Sequence, residues 1–208
     1  KLDFLDIFFL HRDNENIHPG ELVDILNEQV NLGLIKSFGA SNWRRERFEK
    51  SIIWSKKNNK IPFAILNNNL SLAKMKHPLW GDCVSSNSEE YLNFLSINNQ
   101  THFSWSSQAR GFFIEDNLLR KISRRKFHTY LRNCFLSKEN LERKNKAKKL
   151  SKDYNCSIND IALAWVLSQN FPSYAIIGSK KINQLNFSLN SINIKLNEKE
   201  IKWLNLSL

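Results

Sequence analysis

The side chains of this sequence that could do chemistry recur at one kind of place, the polar or small stretch that follows a short apolar run. His11-Arg12-Asp13 follows LDFLDIFFL, Ser41-Asn42 follows LIKSFGA, and Asn67-Asn68-Asn69 follows FAIL. Ser106-Ser107-Gln108 follows FSW, and Gly178-Ser179-Lys180 follows YAII. A parallel strand buried on both faces reads as a near-continuous apolar run, and α/β folds place their active sites where such strands end. These stretches offer one imidazole able to move a proton, hydroxyls and amides able to hold a polar ligand, and a lysine pair, Lys180-Lys181, suited to an anion. Taken singly, each has a plain structural reading. His11 reads as a strand-end histidine satisfied by a neighbour, Ser41-Asn42 as a helix N-cap before Trp43, Trp105 as core, and Lys180-Lys181 as solvated charge. Their company at successive strand ends is what argues for a site.

The elements that must carry these residues alternate. After the first run, His18-Pro19-Gly20 leads into Leu22, Ile25, Leu26 and Val30, a helical stripe that Gly33 can end in the left-handed conformation. A strand is expected over Ile35–Ala40. A helix with Phe48, Ile52 and Trp54 follows, ending in the Lys/Asn-rich Lys56–Lys60 before Pro62 and a third strand, Phe63–Leu66. Ser88 is placed to cap a helix with Tyr91, Phe94 and Leu95, and Thr101–Trp105 alternates as a fourth strand. Ala147, Leu150 and Tyr154 recur at helical spacing, and Ser157 with Asp160 forms a capping-box variant before Ile161–Leu167. A fifth strand, Tyr174–Ile177, precedes two helices, Ile182–Leu189 and Asn197–Leu204, the second with Asn197 and Glu200 in capping positions. Strand-helix alternation implies parallel βαβ units, hence a doubly wound sheet or a (β/α) barrel.

Composition bounds the answer. With 208 residues, 41% of them apolar, the chain can bury one real core, and no composition break divides it, so a single domain over 1–208 is expected. No stretch approaches the ~20 apolar residues of a bilayer span, and no signal-peptide pattern opens the chain, which is read as soluble and cytoplasmic. Cys83, Cys134 and Cys156 sit at irregular spacings without a CxxC and are expected to be free thiols. The other histidines, His18, His77, His102 and His128, lack metal-ligand spacing, so no metal is expected. The net charge of +11 is concentrated in Arg120–Lys149, where twelve Lys or Arg face two Glu. Such a stretch reads first as a solvated helix face, and without interleaved aromatics it is a poor nucleic-acid groove.

Several segments, in order, resemble the aldo-keto reductases. FLDIFFLHRD is similar to the phrase ending the family's fourth barrel strand in a catalytic histidine, which falls on His11. LIKSFGASNW resembles the family's GKIRAIGVSNF, placing Ser41 and Asn42 on the pair that holds the nicotinamide carboxamide. Asn67 aligns with the sixth-strand glutamine, the third group on that carboxamide, and is one methylene shorter. FSWSSQARGFF resembles the seventh-strand segment, with Trp105 where an aromatic stacks on the nicotinamide ring and Ser106 beside it. NCSINDIALAWVLSQNFPSYAIIGSKKINQL is similar to the family's ending, in which Ser179, Lys180 and Gln184 would grip the adenosine 2′-phosphate.

The resemblance implies an incomplete (β/α)8 TIM barrel, strands four to eight with their helices, the first three strands being absent from an N-terminally truncated domain. It further implies NADP(H) as cofactor, a small carbonyl or alcohol as substrate, and hydride transfer between them. A hydroxyl and two amides suit a carboxamide, which has two donors and an acceptor, and an aromatic face suits the ring. The family's general-acid tyrosine, with its lysine and aspartate, lies on or after the first three strands, and none of Tyr91, Tyr130, Tyr154 or Tyr174 has a matching context. Phe187 and Ser188 also stand where the family often has Glu and Asn toward the adenine. The chain alone is therefore expected to be inactive, the alternative being a non-catalytic remnant that binds dinucleotide or a protein. Substrate identity and oligomeric state are not legible.

Overall fold

A computed structural model describes residues 2–114 and 133–207. Five strands form one parallel sheet: β1 (Leu5–Leu10), β2 (Ile35–Ser41), β3 (Ile65–Asn67), β4 (Thr101–Ser104) and β5 (Ser173–Ala175). They are interleaved with α1 (Pro19–Asn31), α2 (Arg45–Lys57), α3 (Glu89–Ile97), α4 (Lys138–Asp153) and α5 (Ile158–Leu167); α6 (Ile182–Asn190) and α7 (Glu198–Leu204) follow. A doubly wound sheet reverses its strand order at a switch point. Here the order is β1-β2-β3-β4-β5, following the chain, which is the winding of a barrel wall.

Local chemistry explains most boundaries. Gly33 adopts φ 72° after α1, and the Leu34 N–H reaches back to the Gln29 carbonyl at 3.1 Å, closing the helix end as a Schellman motif does. Ser88 caps α3 by accepting from the Tyr91 N–H, and Ser157/Asp160 and Asn197/Glu200 form reciprocal capping boxes on α5 and α7. Strand bounds shift, the third strand covering Ile65–Asn67 rather than Phe63–Leu66 and the fourth ending at Ser104 rather than Trp105. The first strand begins at Leu5 rather than Leu2, and the fifth ends at Ala175, because its pairing with β4 spans only His102–Ser104 opposite Ser173–Ala175. The Arg120–Lys149 basic stretch lies partly outside the described residues; its described part is mostly α4, a helix whose Ala147 and Leu150 pack inward.

The two faces of the sheet differ. Phe38 of β2 points into the helix layer, 5.1 Å from the Phe63 ring, which also meets Trp43 and Phe48. On the other face Phe9, Phe103 and Tyr174 form an aromatic chain, with centroids 5.9 and 5.3 Å apart. Gly39 makes this possible, because a Cβ there would stand 2.4 Å from Phe9 Cε1 and 2.7 Å from the Ile65 carbonyl oxygen. Toward the sheet margins apolar side chains stay exposed: Leu5, Ile7 and Phe8 on β1, Tyr174 and Ile176 at β5. Among the described residues β1 and β5 each pair on one side only. No helix among those residues is long and apolar enough to cross a membrane, and the three cysteines are free.

Candidate active site

Register brings the candidate residues to one end of the sheet. Leu10 lies opposite Ala40, so His11 and Ser41 sit at the same level, and Ser41 lies opposite Asn67. The reading of Ser41-Asn42 as a helix cap does not hold, since the N-cap of α2 is Arg44. Asn42 instead takes φ 59°, a left-handed turn that asparagine tolerates better than most residues. That turn swings its amide back over the strand ends. Its Nδ2 donates to Ser41 Oγ at 3.0 Å and to the His11 carbonyl at 3.4 Å, while its Oδ1 accepts the Val84 N–H at 3.2 Å.

The neighbouring groups interlock. Ser41 Oγ is 2.9 Å from both the carbonyl oxygen and Oδ1 of Asn67, toward which it donates, and Asn67 Nδ2 donates to the Phe103 carbonyl at 2.8 Å. One amide thus ties the ends of β2, β3 and β4 together. The Asn67 side chain thus spends both of its ends inside the sheet. The His11 side chain is exposed beside this knot.

Sequence reasoning passed over the residues that hold the knot in place. Asn68 is fully buried; its Nδ2 donates to the Trp43 carbonyl at 2.9 Å and its Oδ1 accepts the Trp43 N–H at 3.2 Å. Tyr91 OH donates to the same carbonyl at 2.9 Å. Burial pushes this phenol's pKa well above its ordinary value, making it a weaker acid, and its oxygen is already engaged by Asn68 Nδ2 and the Trp43 carbonyl. Asn69 Nδ2 donates to the Trp105 carbonyl, and its backbone bridges both Trp105 and Ser85. His102, completely buried, places its two ring nitrogens 2.9 Å from Ser104 Oγ and 3.1 Å from Ser86 Oγ, and desolvation lowers its pKa to about 3. The run of three asparagines at a strand end was the available signal, since consecutive amides there serve alternate faces.

Trp105 is half-buried, and its Nε1–H has no hydrogen-bond partner among the described residues. The indole of Trp80 stacks on it, with centroids 5.6 Å apart and planes at 23°. Trp80, from the loop after β3, is in turn covered by the Arg110 guanidinium at 4.8 Å. Ser106, Ala109 and Arg110 all carry positive φ, so this turn is held in a strained conformation.

The last group of candidates lies beyond β5. Ser179, Lys180 and Gln184 are exposed, and Gln184 Oε1 accepts the Lys180 N–H at 2.9 Å, shaping the entry to α6. Ser188, buried, accepts from Gln108 Nε2 at 3.0 Å and so links this helix to the turn after Trp105. Of the tyrosines, Tyr154 bonds to Glu200 away from these strand ends, Tyr174 lies in the aromatic chain on β5, and Tyr130 lies outside the described residues.

Comparison with known proteins meets this geometry directly: the Aldo/keto reductase family profile matches residues 1–206. The chain belongs to the aldo/keto reductase family. A curated relative, "Putative aryl-alcohol dehydrogenase C750.01" of Schizosaccharomyces pombe, is 25% identical over 202 residues, covering 97% of this chain and 58% of that protein. The aldo/keto reductase chain therefore spans less than two thirds of the relative's length. Among solved structures, a thermostable aldo-keto reductase, Tm1743, in complex with the inhibitor epalrestat superposes with a TM-score of 0.69 at 24% identity, over 98% of this chain and 60% of that one. An aldo/keto reductase from Klebsiella pneumoniae in complex with NADP and acetate gives 0.68 at 16% identity, over 99% and 59%. At these identities the structures establish a shared fold.

Proposed function

We propose that this chain carries the nicotinamide-holding half of an NADP(H)-dependent carbonyl reductase, its five strands corresponding to strands four to eight of a (β/α)8 barrel in a single domain. The observation that carries the reading is the convergence of Ser41, Asn42, Asn67 and Trp105, with His11 beside them, at the carboxyl end of the sheet. The donor set suits the group. A hydroxyl, two amides and an aromatic face match a planar carboxamide-bearing ring, and the orphaned Trp105 Nε1–H is a buried donor with no protein acceptor among the described residues.

When bound, NADP(H) supplies the hydride. The chain's own residues position it: Ser41, Asn42 and Asn67 fix the ring's orientation, Trp105 backs one face, and His11 orients a carbonyl or alcohol oxygen by hydrogen bonding. Ser179, Lys180 and Gln184 would meet the 2′-phosphate with hydroxyl, ammonium and N–H donors, and Ser106 would add a hydroxyl to the cofactor site. A small-molecule substrate and a cytoplasmic setting, where free thiols persist, belong to the same proposal.

Among the described residues no tyrosine occupies a place from which to protonate that oxygen, and a general acid must lie within hydrogen-bond reach of it. The chain alone is accordingly a binding unit without turnover. The test is titration with NADPH, following tryptophan fluorescence, alongside an aldehyde-reduction assay. Saturable quenching without turnover is expected. No quenching refutes the cofactor assignment, and turnover abolished by His11→Ala refutes the inactivity.

A further inference from the structure

The loop between β3 and α3 lies over both ends of the site just described. Its Val84 N–H takes the Asn42 Oδ1 acceptor at 3.2 Å, and its Trp80 indole covers Trp105. The loop's anchors lie on either side of Trp80. Leu79 is buried in the core, and Ser85 and Ser86 are tied to Asn69, the Ser86 N–H reaching the Asn69 carbonyl at 2.8 Å. Between them Trp80, Gly81 and Asp82 stand exposed, Gly81 meets nothing where a Cβ would project, and Asp82 adopts φ 60°. Trp80 itself is 43% exposed although it is one of the largest apolar side chains of the molecule. A side chain so placed can withdraw by its own rotamer change while both anchors stay in place.

We infer that Trp80 is a resident occupant of the Trp105 face, which the nicotinamide ring displaces, so that binding of the dinucleotide and withdrawal of Trp80 are one event. This rests on the dinucleotide reading above. Two observations on different chemistries carry it: a planar aromatic is already stacked where a planar ring is expected, and an N–H of the same loop already holds the amide oxygen expected to meet the carboxamide. Trp80 lies near-parallel to Trp105, with planes at 23°, and the Arg110 guanidinium sits 4.8 Å from the Trp80 ring, so stacking and cation–π attraction both hold the indole in place. The exchange swaps one stacking partner for another, so the cover lowers affinity without closing the site.

The experiment uses the chain itself, its Trp80→Ala and Trp80→Phe variants, NADPH, and 2′-phospho-ADP-ribose, which lacks the nicotinamide. Two stacked indoles give an exciton couplet in far-ultraviolet circular dichroism. The couplet should be present in the unliganded chain, absent from both variants, and lost when NADPH saturates the chain, but retained with 2′-phospho-ADP-ribose. Trp80→Ala should bind NADPH roughly 2- to 10-fold more tightly and 2′-phospho-ADP-ribose unchanged. NADPH binding with the couplet intact, or weakened by Trp80→Ala, overturns the exchange and makes Trp80 a fixed wall of the site while the cofactor reading stands. Failure of NADPH to bind either the chain or Trp80→Ala overturns both.

Discussion

His102 gives the fold a built-in sensitivity to acid whose sign and size follow from its surroundings. The ring is completely buried on β4, and its two nitrogens engage Ser104 Oγ and Ser86 Oγ, so it is held neutral and its pKa falls to about 3 from an ordinary 6.5. The unfolded chain binds a proton below pH 6.5 while the folded chain does not. Stability is therefore full above that value and is lost as pH falls toward 3. Each pH unit in this window removes about 1.4 kcal/mol, so lowering pH from 7 to 5 costs the wild type about 2 kcal/mol through this residue alone. His102→Gln keeps a polar side chain but cannot protonate. It should be less stable at pH 7, having lost a fitted ring, yet its stability should change less between pH 7 and 5 by that same ~2 kcal/mol. Urea unfolding midpoints for the two proteins at pH 7, 6 and 5 measure the difference, and every other titrating group cancels in the comparison. Parallel pH profiles would refute the burial argument. Because Ser86 also ties the loop to Asn69, acid should release this loop from β4 first, and hydrogen exchange at the Ser86 amide reads that directly.

The remaining expectations concern the backbone under the site. Asn42 occupies φ 59° and spends its whole amide on Ser41, His11 and Val84. Asn42→Gly keeps the turn comfortable while Asn42→Ala strains it, so the alanine variant should be the less stable by about 1 kcal/mol in thermal melts, with NADPH binding weakened equally in both. Equal stability with unequal binding would show that the turn, not the amide, is what the site uses. Gly39→Ala places a methyl 2.4 Å from Phe9 Cε1 and 2.7 Å from the Ile65 carbonyl oxygen; it should destabilise by about 1–3 kcal/mol in urea, whereas Gly178→Ala, with open space around it, should be near neutral.

Most of the architecture was legible because its signals are local. Gly33, Ser88 and the two capping boxes are short-range devices, each recognised by residue type at fixed spacing and each found in place. Strand ends were less legible, since they depend on what the neighbouring strand offers: β5 stops at Ala175 because β4 pairs with three of its residues. Ser41-Asn42 was ambiguous for the same reason. A serine-asparagine pair before a helix suits a cap, and only the pairing of Ser41 with Asn67 fixes the turn that makes Asn42 fold back over the sheet. The Trp80–Trp105 stack was the least legible feature, because it joins two loops 25 residues apart through aromatic faces that carry no spacing rule.

The candidate site is therefore defined less by single side chains than by how fully they already satisfy one another. Asn67 bonds at both ends, Asn42 at both ends, and Ser41 both donates and accepts. A buried amide left without partners costs about 1–3 kcal/mol, so the mutual bonding of these groups contributes to stability. A carboxamide entering the site must replace bonds rather than add to them, and only the difference between the two sets appears as affinity. The same reasoning applies to Trp105, whose apolar face is covered by Trp80 while its Nε1–H has no partner among the described residues. On the proposed reading, dinucleotide affinity should thus arise largely from the exposed Ser179–Gln184 region, with the nicotinamide end contributing orientation more than binding energy.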